Sequence, residues 1–284
     1  MQLLALFLAP ALLAQSPDAQ GQAEFQAGRY RAAKKHFEHS LRLSQDSPTD
    51  HAVALANLAQ AQLALGEVSA ATGSLRLALD QMPHSGRLWN QYGQVLFTGR
   101  DFAAAEAAQR KALDLTLQND PKTAATVLSD LALLYKERGK GQQAIDSLQR
   151  ALQLLPPSHA RARILANLGL LRWKFGPKSA AAGYLEQALT EMEQSVGPRH
   201  PDVGRILEDY STVLARSGRK QAAKEMAARA HQIRAASLAQ TNNSRQTIDY
   251  RDLVGIRGTL AAGHDSAGDR RSGQVRGRRR DQQR

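Results

Sequence analysis

The sequence predicts an all-α fold, an α-solenoid built from about six stacked helix pairs, and three observations carry that expectation. The 284 residues hold 48 Ala and 39 Leu against 9 Val and 6 Ile. Ala and Leu favour helices, whereas β-branched residues favour strands. Aromatic residues contribute only 5%, which with that ratio argues against an all-β fold and against a βαβ enzyme. Finally, a Gly, a short spacer and an Ala recur along the chain. The recurring Ala33, Ala71, Ala105, Ala144, Ala181 and Ala223 are spaced 38, 34, 39, 37 and 42 residues apart, a period that matches helix-pair repeats and none of the β-repeats. The absence of Cys excludes a disulfide scaffold, a Cys-zinc site, an iron–sulfur cluster and a thiol nucleophile. The formal charge of +12 requires that an anionic partner be weighed.

Residues Leu3 to Ala14 form an uncharged apolar run. It is shorter than the roughly 20 residues needed to span a bilayer as a helix. It fits the apolar region of a secretory signal ending at the small residue Ala14, although no Lys or Arg precedes it. A signal peptide over 1–14 is therefore expected, cleaved to release Gln15. The protein would then be exported, periplasmic or secreted; otherwise it is cytoplasmic. No later stretch suggests a transmembrane anchor.

The repeated units follow. Their turns read Gly28-Arg29-Tyr30 before Ala33, Gly66-Glu67-Val68 before Ala71, Gly139-Lys140-Gly141 before Ala144, Gly176-Pro177-Lys178 before Ala181 and Gly218-Arg219-Lys220 before Ala223. The remaining copy has Arg100-Asp101-Phe102 before Ala105, with its glycine shifted to Gly99. Gly at each turn is expected to supply the left-handed backbone that ends a helix. Pro48, Pro83, Pro121, Pro156, Pro157, Pro198 and Pro201 mark boundaries between units, because the residue before a proline disfavours a helical conformation. Pro177 differs, lying at a turn inside a unit. Leu128, Leu131, Ala132 and Tyr135 follow the i, i+3, i+4, i+7 spacing of one helix face, and Ala144, Leu148 and Ala151 stripe the next helix. A single helix pair cannot bury its apolar face alone; stacking makes one continuous core.

These residues resemble the tetratricopeptide repeat. The third copy supplies Trp89, Tyr92, Gly93, Phe102, Ala105 and Ala112 to that pattern, and the fourth supplies Leu128, Leu131, Ala132, Tyr135, Gly139, Ala144, Leu148, Ala151 and Pro156. The second and fifth follow it through Leu55, Leu58, Ala59 and Ala71, and through Leu165, Leu168, Gly169 and Ala181; the first and sixth copies are weaker. The stretch Gly197 to Val203 (GPRHPDV) looks like the linker of the longer, kinesin-light-chain-like 42-residue repeats. The resemblance implies a right-handed solenoid over 15–240, with repeats near 15–47, 52–85, 86–119, 125–158, 162–195 and 204–237. Residues 241–284 carry ten Arg, no Lys, five Asp and no Glu. They are expected to form an Arg/Gly/Gln-rich disordered tail, with Thr247–Val254 as a short extended segment docked on the last repeat.

Catalytic chemistry finds little support. Gly139 to Ala144 nominally matches a dinucleotide fingerprint, but joins two helices instead of following a strand. His36 and His39, beside Glu38, fall short of the three or four convergent ligands a metal needs. Glu191 and Glu193 diverge on a helix, and Asp209 lacks a suitably spaced His. No role set emerges for an enzyme, and no cofactor or metal is expected.

A binding surface is easier to derive. The resemblance implies that first helices line the inside of the superhelix. The groove-facing stripe contains Asn57 and Gln60 in the second copy, and Arg87, Asn90, Gln91 and Gln94 in the third. The fifth contributes Arg163 and Asn167, and the sixth Arg205 beside Glu208, Asp209 and Thr212. An amide both donates and accepts, which suits a peptide backbone, and Arg can pair with a carboxylate bidentately. The expected function is a non-catalytic scaffold that binds a peptide or helix of another protein in this groove. The alternative is binding of an anionic polymer or nucleic acid through the Arg-rich tail. Nucleic acid is disfavoured because the tail's single aromatic, Tyr250, leaves little for base stacking. Self-association is a third option.

Overall fold

The computed structural model describes residues 16–243. The expected signal peptide, the tail beyond Asn243 and the segment Thr247–Val254 lie outside these residues. Twelve helices occur among the described residues: α1 (Pro17–Gln26), α2 (Tyr30–Leu43), α3 (Pro48–Ala64), α4 (Val68–Gln81), α5 (Gly86–Thr98), α6 (Phe102–Thr116), α7 (Pro121–Glu137), α8 (Gly141–Gln153), α9 (His159–Phe175), α10 (Lys178–Val196), α11 (Pro201–Arg216) and α12 (Lys220–Asn243). Each helix packs on the next in the chain, giving six pairs stacked in an all-α solenoid. First helices of successive pairs also touch, α1 with α3, α3 with α5, α5 with α7 and α9 with α11. They therefore lie side by side along one face.

The two kinds of helix start differently. First helices begin after connections between pairs and are capped by side chains. Ser16, Ser47, Ser85 and Ser158 accept from the backbone N–H groups of Ala19, Asp50, Leu88 and Arg161, and Asp120 accepts from that of Thr123. Such caps satisfy N–H groups that have no partner within the helix. Pro17, Pro48, Pro121 and Pro201 occupy first turns, where a missing N–H costs nothing. The second helices α2, α4, α8 and α10 have no side-chain cap, whereas α6 has one, Asp101 accepting from the Ala104 N–H; a tight turn leads into these helices.

Gly28, Gly66, Gly139 and Gly218 take positive φ at these turns. Two turns depart from the glycine expectation. In the third pair Gly99 is right-handed, and Arg100 takes the left-handed position with φ 64°. Gly99 instead permits close approach, since a Cβ there would lie 3.2 Å from Val68 Cγ1. In the fifth pair Gly176 is extended, as Pro177 requires of its predecessor.

The core runs across pair boundaries. Ala33 and Phe37 of α2 bury against Leu58 and Ala61 of α3, and one cluster joins α3, α4 and α5. Another runs from α6 to α9 through Leu128, Leu134, Ile145 and Leu148, and the last from α9 to α12 through Leu165, Leu185, Met192 and Leu207. No helix among the described residues is long and apolar enough to cross a membrane.

Two glycine variants separate backbone strain from crowding. A Cβ on Gly66 meets nothing within 4 Å, so Gly66→Ala should cost about 1 kcal/mol through its left-handed backbone alone. A Cβ on Gly141 would lie 2.4 Å from Phe175 Cγ, so Gly141→Ala should cost about 1–3 kcal/mol through overpacking. Urea unfolding midpoints measure both; an unchanged midpoint in either variant contradicts the corresponding cause.

Candidate partner-binding groove

The face formed by α1, α3, α5, α7, α9 and α11 carries a polar stripe in a strict register. Asn57, Gln91, Asp130, Asn167 and Asp209 each lie fourteen residues before the recurring Ala of their own pair. The residues fifteen and eleven before that Ala flank them one helical turn apart: Asp18 and Gln22, Ala56 and Gln60, Asn90 and Gln94, Ser129 and Leu133, Ala166 and Leu170.

At two junctions these flanking residues grip the next first helix. Gln22 Nε2 donates to Asn57 Oδ1 at 3.0 Å, and Asn57 Nδ2 donates to Asp18 Oδ1 at 2.9 Å. Asn57 is 8% exposed, so its amide ties α3 to α1. At the next such junction Asn90 Nδ2 and Gln94 Nε2 both donate to Asp130 Oδ2, at 3.0 and 2.7 Å. Burial pushes the Asp130 carboxyl up to about 6, against the opposing pull of Gln94, Asn90 and the Arg163 guanidinium.

The other three junctions lack the grip. Ala56, Ala166, Leu133 and Leu170 have no polar side-chain atom to offer, and the Gln60 amide makes no hydrogen bond to another described side chain. The Ser129 hydroxyl donates to the Ala125 carbonyl of its own helix. Opposite these junctions stand Gln91, Asn167 and Asp209. No hydrogen bond or ion pair reaches Gln91, Asn167 or Asp209 from any described side chain, and Gln91 Oε1 is enclosed without a partner. Burial raises the Asp209 carboxyl to about 6, with the neighbouring Glu208 charge adding to the effect.

The remaining sequence candidates divide similarly. Gln60 is half-buried, while Arg87, Arg163 and Asn167 are exposed. Arg163 lies within electrostatic reach of Asp130. Arg205 is paired with Asp202 of its own helix at 2.9 Å, and His159 Nε2 lies 2.6 Å from the same carboxylate. Asn90, 5% exposed, leaves its Oδ1 enclosed and without a partner. The sequence stripe omits Asp18, Gln22 and Asp130, and includes Asp209 only beside Arg205 in the sixth copy. The register that relates the recurring alanines would have located all four.

Outside the groove, Glu191 pairs with Arg161 and Glu193 with Arg229, so these carboxylates bridge neighbouring helices. No group of three or more His, Cys, Asp or Glu among the described residues is arranged to hold a metal ion.

Two family models, each described as tetratricopeptide repeat, match the chain, one over residues 84–156 and 123–194 and the other over 24–89. No curated protein matches. Among solved structures, the chain is similar to BtubC (BKLC) from P. vanneervenii at 18% identity and a TM-score of 0.64, covering 93% of this chain and 99% of that one. It is also similar to pilF of Pseudomonas aeruginosa at 20% identity and a TM-score of 0.56, covering 84% and 96%. At these identities the likeness concerns the fold.

The Asp130 grip predicts a pH signature. The carboxyl titrates near 3.8 when unperturbed and near 6 in the fold, so the folded chain holds its proton more tightly. Its stabilising contribution is complete below about pH 4 and is lost as pH rises through about 6. The melting temperature of the wild type minus that of Asp130→Asn should therefore fall between pH 4 and pH 7. A difference independent of pH contradicts the enclosed carboxyl.

Proposed function

We propose that this chain, which belongs to the tetratricopeptide repeat family, is a non-catalytic scaffold that holds a peptide or helix of another protein along the face of its first helices. The observation that carries this reading is the supply of hydrogen-bonding groups on that face without internal partners: the Arg87 guanidinium, the Asn167 amide, and the enclosed oxygens Asn90 Oδ1 and Gln91 Oε1. An enclosed acceptor without a donor is unfavourable, and a peptide backbone brings donors at regular intervals. Gln60, Asn167 and Arg87 are the residues best placed to meet such a segment. Asn57, Gln94 and Arg205 act mainly by shaping the face, since each is tied to another residue of the chain.

The apolar run Leu3 to Ala14 supports an exported protein, and residues 241–284 form the tail on this reading. A second reading rests on the ten Arg of that tail, which would hold an anionic polymer by charge alone. Such binding weakens steeply with salt.

Site-specific photo-crosslinking in the source cell distinguishes the two. Crosslinkers at positions 60, 87 and 167 should capture one common protein partner, whereas crosslinkers at the exposed second-helix positions 76 and 111 should not. Capture restricted to positions 76 and 111, or to the tail, overturns the groove reading.

A further inference from the structure

The three junctions without a grip are where the groove has binding capacity left over, and their chemistry is not neutral. The Gln91 amide has no hydrogen bond to another described side chain, while at the neighbouring Asn90 the group without a partner is an oxygen. The Asp130 carboxylate determines this orientation: it can only accept, so Asn90 and Gln94 must turn their N–H groups toward it. The Asn90 oxygen is then left over on a side chain more than nine-tenths buried.

At the last junction the open group is the Asp209 carboxyl. Two cations, one on its own helix and one on α12, are engaged elsewhere. Arg205 pairs with Asp202 at 2.9 Å, and Arg234 pairs with Glu208 at 2.7 Å. The register positions that grip Asn57 and Asp130 are here Ala166 and Leu170, which bring no donor. Glu208, beside it, carries the same charge. A largely desolvated carboxyl in that setting is unfavourable as an anion until a cation meets it.

We propose that the groove selects a basic segment, one whose lysine or arginine side chain meets the Asp209 carboxylate. This deepens the scaffold reading and rests on it. The preference runs opposite to the pairing of groove arginines with partner carboxylates. It also assigns different work to residues in one register: Asn57 and Asp130 hold neighbouring helices together, while Gln91, Asn167 and Asp209 face the partner.

The test uses the full chain, 15N-labelled, titrated with two blocked pentapeptides, acetyl-Ala-Ala-Arg-Ala-Ala-amide and its Glu counterpart. The Arg peptide should shift amide resonances around Asp209 and Asn167 and bind at least about tenfold more tightly than the Glu peptide. Asp209→Asn, a nearly isosteric change, should bring the two peptides to parity. Asp18→Asn, which alters a grip instead of an open position, should leave the Arg preference intact. Tighter binding of the Glu peptide, or an Arg preference that survives Asp209→Asn, overturns this inference while leaving the groove in place. If neither peptide shifts any first-helix resonance, the groove reading itself falls.

Discussion

Ala33, Ala71, Ala105, Ala144 and Ala181 have no exposed surface, and each sits on a second helix packed against the first helix of its pair. A larger side chain there would separate the helices and open the core, because protein interiors are packed to near-crystalline density. Small residues on the first helices complete the approach. A Cβ on Gly93 would lie 2.6 Å from Gln109 Cγ, and one on Gly169 2.9 Å from Leu185 Cγ. Close crossing lets Leu128, Leu148, Leu165 and Leu168 bury fully across pair boundaries. It also sets the first helices side by side, and so makes the polar face that they share.

That face is not a uniform row of solvated side chains. Where both flanking residues are polar, as with Asp18 and Gln22 or with Asn90 and Gln94, they reach across and hold the next first helix. Where at least one of them is Ala, Leu or a serine bonded to its own helix, the opposite residue is left with unused capacity. Orientation at these positions depends on junctions rather than on single residues. A carboxylate in the gripped position turns neighbouring amides inward as donors and leaves an oxygen behind.

Much of the fold was legible because the closest contacts recur in sequence. The period of the alanines and the glycine turns disclose paired helices without reference to any distant contact. The exceptions had local causes, as when Pro177 made Gly176 extended and Arg100 took the left-handed position. The groove was less legible because its chemistry arises between helices 34 to 42 residues apart. Asn57 looks like a presentable amide on its own helix, and only the neighbouring α1 shows that it is engaged. The first copy matches the repeat pattern weakly, which conceals Asp18 and Gln22. Asp130 sits on a helix whose apolar stripe dominates its reading, and Asp209 invites a catalytic test that it fails.

Stacked pairs share their core across pair boundaries, held by close approach at the recurring alanines. Native-state amide hydrogen exchange on Ala144→Leu puts this to the test. The substitution lies in α8, which packs against α7 and α9. A shared core predicts faster exchange in α7, α8 and α9 together, diminishing toward α3 and α11, because repeats are coupled through their neighbours. Loss of protection confined to α8, or none at all, would contradict it.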